Sequence, residues 1–296
     1  MSVRRPGTRS SRRTLYAASA ALLATFALPL TLPGVATAEV SPLPPEPGRA
    51  ASPLADAAPA RGTAYMGMGV VAHDGEGRAP IADRGLAVAQ TEGVDVSSHQ
   101  GSVNWSSLAK TGVKWAYVKA TEGNYYQSTT FNQQYTGSYK AGLIRGSYHF
   151  AAPDTSSGAN QADYFVKHGG NWSKDGKTMP GVLDIEWNPY GAACYGLSKA
   201  KMVSWIKDFA TTYKARTGRD VVIYTATTWW KQCTGDYAGF AKTNPLWVAR
   251  YNTSPGTLPK GWGFQTIWQY TSSGPGVGDH DKFNGSLNRL RALANG

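Results

Sequence analysis

The sequence predicts an α/β protein folded as an irregular TIM-like barrel, and two features of residues 91–296 point there. Short β-branched runs alternate with segments of helical periodicity, and the runs are nearly all apolar, as strands covered by helices on both faces must be. Roughly eight strands over these 206 residues suit a small closed β/α barrel, with a doubly wound open sheet as the alternative.

Val94 and Val96 mark a first strand at 93–96, followed by a polar loop. A short helix over 103–109 ends near Gly112, a strand follows at 113–120, and a helix over 131–140 is closed by Gly142. The strand at 143–150 leads to a helix over 158–168 that Gly169-Gly170 stops. After a strand at 181–186 comes the clearest helix, 198–216, in which Met202, Trp205, Ile206 and Phe209 recur at spacings of three and four. Ser198 is placed to cap its start and Gly218 to end it. Strands at 221–225, 246–249 and 266–270 complete the series, the last two without a long helix between them. In a β/α barrel, chemistry gathers where strands end and the following loops begin, so those positions carry the candidate site.

Of 296 residues, 41% are hydrophobic and 17% charged, which supplies a sizeable core and excludes wholesale disorder. Two cysteines are too few for a disulfide-scaffold miniprotein or a Cys-only zinc site. The formal charge of +11 divides as +5 over residues 1–38, −2 over 39–90 and +8 over 91–296. A basic folded part fits any anionic polymer, including a teichoic-acid-bearing cell wall. Nucleic-acid binding would need a basic element or a recognised module, whereas Lys and Arg are scattered here.

Residues 1–38 read as a signal peptide. Arg4, Arg5, Arg9, Arg12 and Arg13 form a basic start, 15–32 is uncharged and mainly apolar, and Ala36-Thr37-Ala38 supplies a cleavage pattern. Pro29 and Pro33 weigh against the alternative of a membrane-spanning helix. Ser11-Arg12-Arg13-Thr14-Leu15 resembles a twin-arginine signal. Residues 39–90, rich in Ala, Pro and Gly and without periodicity, read as a flexible linker or pro-segment. Within them Gly67-Met68-Gly69 imitates a dinucleotide fingerprint but lacks the βαβ context. The expected protein is secreted, extracellular or wall-associated, without stable membrane anchoring.

Asp184 and Glu186 end a strongly apolar strand. Residues two apart on a strand share a face, with Cα atoms about 6.5 Å apart. Two carboxylates on one inward face raise each other's proton affinity, which provides a general acid near neutral pH. Glycoside hydrolysis needs such a pair, one acid for the leaving oxygen and one group for the developing positive charge. An isolated D-x-E is equally compatible with a pair satisfied by basic or backbone groups. Here other strand ends add Asp95, Glu122 and Tyr148, and Asp279 sits in a last loop. Trp187, Trp229, Trp230, Trp247 and Trp268 lie near strand ends, either as stacking platforms for sugars or as core.

The stretches GVDVSSHQG, NW, KATEG, AGLIRGSYHF, QADYF, GVLDIEWNP, CYGLS, RDVVIYT, WQY and DKFNGS occur in that order across nearly the whole of residues 91–296. Through them the chain resembles the glycoside hydrolase family 25 lysozymes, particularly secreted actinobacterial muramidases. The resemblance implies a (β/α)5(β)3 barrel that hydrolyses the β-1,4 bond between N-acetylmuramic acid and N-acetylglucosamine in peptidoglycan. It places the general acid on Glu186, with Asp184, Asp95 and Asp279 completing an acidic cleft. Glu122 matches a further acidic position of the cleft, and Tyr148, Tyr224, Trp247 and Gln269 join it as candidate substrate contacts. Asp281 stands where relatives often carry a neutral residue and is left out of the expected site. His99 stands where a Trp is common.

On this basis Glu186 acts as acid and then base. Asp184 either attacks the sugar or orients its 2-acetamido group, and the expectation favours the second route. A chitinase-like enzyme is the nearest rival, but its D-x-D-x-E pattern would need Asp where Val182 stands. A non-catalytic wall-binding module is the alternative of another class, and retention of the cleft acids weighs against it. No H-E-x-x-H, C-x-x-C, G-x-S-x-G or P-loop pattern is present, and neither a metal nor a cofactor is expected. The expected partner is bacterial peptidoglycan, with anionic wall polymers in a secondary role, bound by a monomer. In an exported protein Cys194 and Cys233 are expected to form a disulfide, and they also align with cysteines of related muramidases.

Overall fold

The computed structural model describes residues 58–74 and 89–296, all within one of the chain's two units, Leu54–Gly296. The expected signal peptide and its twin-arginine pattern lie outside the described residues. Nine strands form among those described: β1 (Thr91–Val96), β2 (Trp115–Glu122), β3 (Tyr126–Gln127), β4 (Ile144–Phe150), β5 (Val182–Asp184), β6 (Val222–Ala226), β7 (Leu246–Ala249), β8 (Ile267–Thr271) and β9 (Asp279–Phe283). They run in the order β1-β9-β8-β7-β6-β5-β4-β2, and β1 pairs again with β2. The sheet therefore closes into a barrel, with β3 as a short antiparallel arm on β2.

The helices are α1 (Val70–Asp74), α2 (Trp105–Lys110), α3 (Phe131–Lys140), α4 (Gly158–Phe165), α5 (Lys199–Thr217), α6 (Thr227–Thr234) and α7 (Leu287–Asn295). Helices α2 to α6 follow β1, β2, β4, β5 and β6 in turn, while β7, β8 and β9 succeed one another with no α-helix between them. This is the (β/α)5(β)3 order. Seven of the eight barrel strands run parallel to one another, and β9 alone runs antiparallel to its neighbours β1 and β8.

Several expectations need correction. Asp279 opens β9 and is not in a loop. Strand β5 is shorter than the apolar run, so Glu186 lies just past its end. The helix expected over 158–168 is α-helical only to Phe165 and closes through a wider π turn, Val166–Gly170. Helices α6 and α7 were not anticipated. Of the segment read as a flexible linker or pro-segment, residues 58–74 are packed against the barrel, with Ala64, Met66 and Val70 buried.

Helix α5 forms as its pattern requires: the Ser198 hydroxyl accepts a hydrogen bond from the Lys201 amide, and Met202, Trp205, Ile206, Phe209 and Tyr213 are buried. The barrel's lower interior is aromatic. The Trp247 ring meets Trp115, Tyr117 and Tyr224 at centroid distances of 6.0, 5.1 and 5.5 Å. Gly93 leaves the space that the Trp115 indole fills; a Cβ there would fall 2.1 Å from the ring. Cys194, after β5, is bonded to Cys233 in α6, with Cα atoms 5.3 Å apart. Among the described residues no helix is long and apolar enough to cross a membrane.

Candidate active site

The acidic residues gather on the rim where the parallel strands end. Asp95 stands next to last on β1, Asp184 ends β5, and Glu186 follows it. Antiparallel β9 starts at the same rim, so its first residue, Asp279, is paired directly with Asp95. All four carboxylates are buried.

Burial dominates their electrostatics. The Glu186 carboxyl is pushed up to about 8 by desolvation, an effect that two backbone amides partly offset. Asp184 is held well above the usual carboxylate range, first by burial and then by the charges of Glu186 and Asp95. Neither of its carboxyl oxygens receives a hydrogen bond from a described donor group. The contact between the pair raises Asp184 and lowers Glu186, so it favours the proton on Asp184 over that on Glu186. Asp95 is raised to about 7, again first by burial.

Gln269 links the acids across the barrel. Its amide Nε2 donates to Asp95 at 2.8 Å and to Asp279 at 3.2 Å. Its carbonyl accepts the Tyr224 hydroxyl at 2.6 Å and the Tyr251 hydroxyl at 3.2 Å. Tyr251 also reaches Asp279 at 3.3 Å. The expected residues Tyr224 and Gln269 are thus brought to the acids, and Tyr148 is buried on β4 with its hydroxyl toward residue 66. Trp247 lies below the rim, fully buried in the aromatic floor, where its indole donates to Asp281 at 3.1 Å. In that position it supports the acids and offers no open ring face.

Glu122 is placed by a bulge. Register between β2 and β4 shifts between Lys119 and Thr121, which turns Glu122 onto the inward face beside Lys119. The Lys119 ammonium and Glu122 form a fully buried pair at 2.6 Å, and Glu122 also accepts the hydroxyls of Tyr125 and Tyr190 at 2.8 and 2.6 Å. His149 faces the other way, held between Thr121 and Gln161 at 2.8 and 3.0 Å, with burial lowering it to about 3.

Sequence reasoning missed Lys119, Tyr190 and Tyr251, and it set Asp281 aside where the structure brings it to the acids. The Asp281 carboxyl is buried beside Asp95 and Asp279, and burial followed by their charges holds it well above the ordinary range. The signal was present in D-x-D: residues 279 and 281 share one strand face, as 184 and 186 do. Of the five tryptophans near strand ends, Trp229, Trp230 and Trp268 give their indole N–H groups to backbone carbonyls and belong to the packing. Trp187 is the one beside the acids. Among the described residues no group of three His, Cys, Asp or Glu side chains is arranged to hold a metal ion.

The family described as glycosyl hydrolases family 25 matches residues 94–279. Lysozyme M1 of Streptomyces globisporus is 50% identical over 281 residues, covering 92% of this chain and 92% of its own. An N,O-diacetylmuramidase of a Chalaropsis species is 47% identical over 209 residues, 69% of this chain and 99% of its own. The crystal structure of the bacterial lysozyme from Streptomyces coelicolor, 53% identical, superimposes with a TM-score of 0.68 over 71% of this chain and 99% of its own. A chain about as long as the barrel alone thus corresponds to nearly the whole of the last two proteins.

Proposed function

The chain belongs to glycosyl hydrolase family 25, and from that premise we propose how its cleft works. It is a lysozyme, a peptidoglycan hydrolase of the muramidase type, and it cuts the β-1,4 bond on the N-acetylmuramic acid side. Glu186 in its protonated form gives its proton to the glycosidic oxygen as that bond breaks. The resulting carboxylate then takes a proton from the water that completes hydrolysis, so Glu186 ends each turnover as it began.

Asp184 orients the 2-acetamido group, whose carbonyl oxygen attacks the anomeric carbon and gives a product of retained configuration. A carboxyl whose proton affinity is raised by burial and by the charges of Glu186 and Asp95 is a poor nucleophile, which supports this route over direct attack by Asp184. Asp95 and Asp279 set the charge of the cleft and, with Gln269, Tyr224 and Tyr148, bind sugar hydroxyls. Glu122 shapes the wall through Lys119. The observation that carries the assignment is the buried pair at the end of β5, in which desolvation raises Glu186 to about 8 and burial and the charge of Glu186 raise Asp184.

Residues 1–38 direct export and are removed, and the secreted monomer meets the wall through its basic surface. Glu186→Gln is the test of the acid: turnover falls by at least roughly 10²-fold with normal folding, and near-wild-type turnover overturns the assignment. A glycosyl ester trapped on Asp184 by a slow fluorosugar substrate overturns the acetamido route.

A further inference from the structure

We propose that residues 58–74 are a built-in plug that occupies the catalytic cleft and holds the secreted chain inactive until it is displaced. The inference rests on the assignment of Glu186 as the acid.

The plug meets the machinery with its backbone. The amides of Gly67 and Gly69 donate to the two different oxygens of Glu186, at 2.6 and 3.2 Å. With an N–H donor on each oxygen, Glu186 is held as an acceptor, and the peptide lies where a glycosidic oxygen would have to approach it. The carbonyl of Gly67 takes the Tyr251 hydroxyl at 3.4 Å, and the Met66 amide faces the Tyr148 hydroxyl at 3.5 Å. Polar groups that would bind sugar hydroxyls are thereby spent on peptide.

Both flanks are covered as well. His73 stacks on Trp187 with centroids 4.3 Å apart and planes at 18°, on the aromatic surface beside the acids. Tyr65 stacks on His99 at 4.8 Å. Further out, the Gly62 amide donates to Glu122 at 2.8 Å, and the Lys119 ammonium donates to the carbonyls of Gly62 and Ala64. Arg61 closes the entrance through an ion pair with Asp154 at 2.7 Å.

The sequence suits this fit at one position above the rest. Gly67 has φ of +81°, and a Cβ there would lie 2.2 Å from the Tyr251 hydroxyl and 2.6 Å from the Gln269 carbonyl oxygen. Only glycine brings its amide onto Glu186 without a clash. The match to the 281-residue stretch of the Streptomyces globisporus lysozyme spans this region, whereas relatives of barrel length match without it. A segment with these contacts, set before a barrel that matches a relative of barrel length over 99% of that relative's chain, is placed to act as a removable inhibitor.

The test uses the full secreted chain against purified peptidoglycan, counting new reducing ends. Gly67→Val pushes the plug off the cleft by its clash with Tyr251 and Gln269 while altering no barrel residue, and its initial rate rises at least roughly tenfold over the parent chain, the factor by which a mostly closed population limits the open one. A second protein carries a site-specific protease sequence between residues 78 and 84. Cutting it after folding and removing the freed segment raises the rate similarly, and added synthetic peptide 58–74 lowers it again. Equal rates for the parent, the variant and the cut chain overturn the plug and leave the lysozyme assignment standing. If no protein releases ends, the assignment itself fails, and sedimentation with the wall then decides: tighter binding by Gly67→Val upholds occlusion, and equal binding overturns it.

Discussion

Asp281→Asn separates a buried protonated acid from a buried charge. The Asp281 carboxyl is held well above the ordinary range by burial and by the charges of Asp95 and Asp279, whereas in the unfolded chain it ionises near pH 4. A folded-state pKa raised in this way gives stability that is fully present below the unfolded value and is lost as pH rises toward the folded one. As pH rises above the unfolded value, the native state holds a proton that the unfolded state releases, and the parent loses stability until the folded group also ionises. Asparagine has no such proton, still accepts from the Trp247 indole and presents an amide donor to Asp95. The variant should therefore gain on the parent as pH rises from 5 to 7. Urea unfolding followed by tryptophan fluorescence at pH 5, 6 and 7, at constant ionic strength, gives the difference directly. A difference that does not change with pH would show that Asp281 is already ionised in the fold, and would refute the reasoning for the whole cluster.

Other outcomes follow from the same structure. Replacing Cys194 and Cys233 together by Ser opens a link across a sequence separation of 39 and lowers stability by up to about 4 kcal/mol in the chain-entropy view; two titratable thiols in the native protein would contradict the bridge. Glu122→Gln leaves the Lys119 ammonium buried beside a neutral group and costs about 3 kcal/mol in urea unfolding, and a loss below about 1 kcal/mol would show that the pair is not ionised. Activity on peptidoglycan is unchanged after dialysis against EDTA; a loss restored by one added divalent ion would require a metal in the mechanism.

Much of the barrel was legible because its strands bury both faces and therefore read as apolar runs, and because α5 carries its own cap and stripe. The acids at 95, 184 and 186 were legible for the related reason that each interrupts or closes such a run. Strand β9 was not: Asp279-His280-Asp281-Lys282-Phe283 has no apolar period, and it forms because β1 and β8 offer it hydrogen-bonding edges on both sides. Asp281 was left out of the expected site because relatives often carry a neutral residue there, and the loop reading gave no strand face to set against that. Helix α6, Thr-Thr-Trp-Trp-Lys-Gln-Cys-Thr, is built from weak helix formers and is held by burial of Trp229 and Trp230 and by the disulfide. Lys119 and Glu122 meet through a bulge, which no alternation pattern announces. Residues 58–74 lack periodicity because their fit relies on backbone amides and carbonyls, which every sequence possesses, and on a glycine whose meaning depends on Tyr251 and Gln269 across the cleft.

The most direct measurement is digestion of purified peptidoglycan by the full chain, by Gly67→Val and by Gly67→Val with Glu186→Gln, followed by borohydride reduction and sugar analysis of the new ends. Reduced N-acetylmuramic acid should be released fastest by Gly67→Val and be absent once Glu186 is replaced. Reduced N-acetylglucosamine in its place, or equal release with and without Glu186, would contradict a muramidase in which Glu186 is the acid.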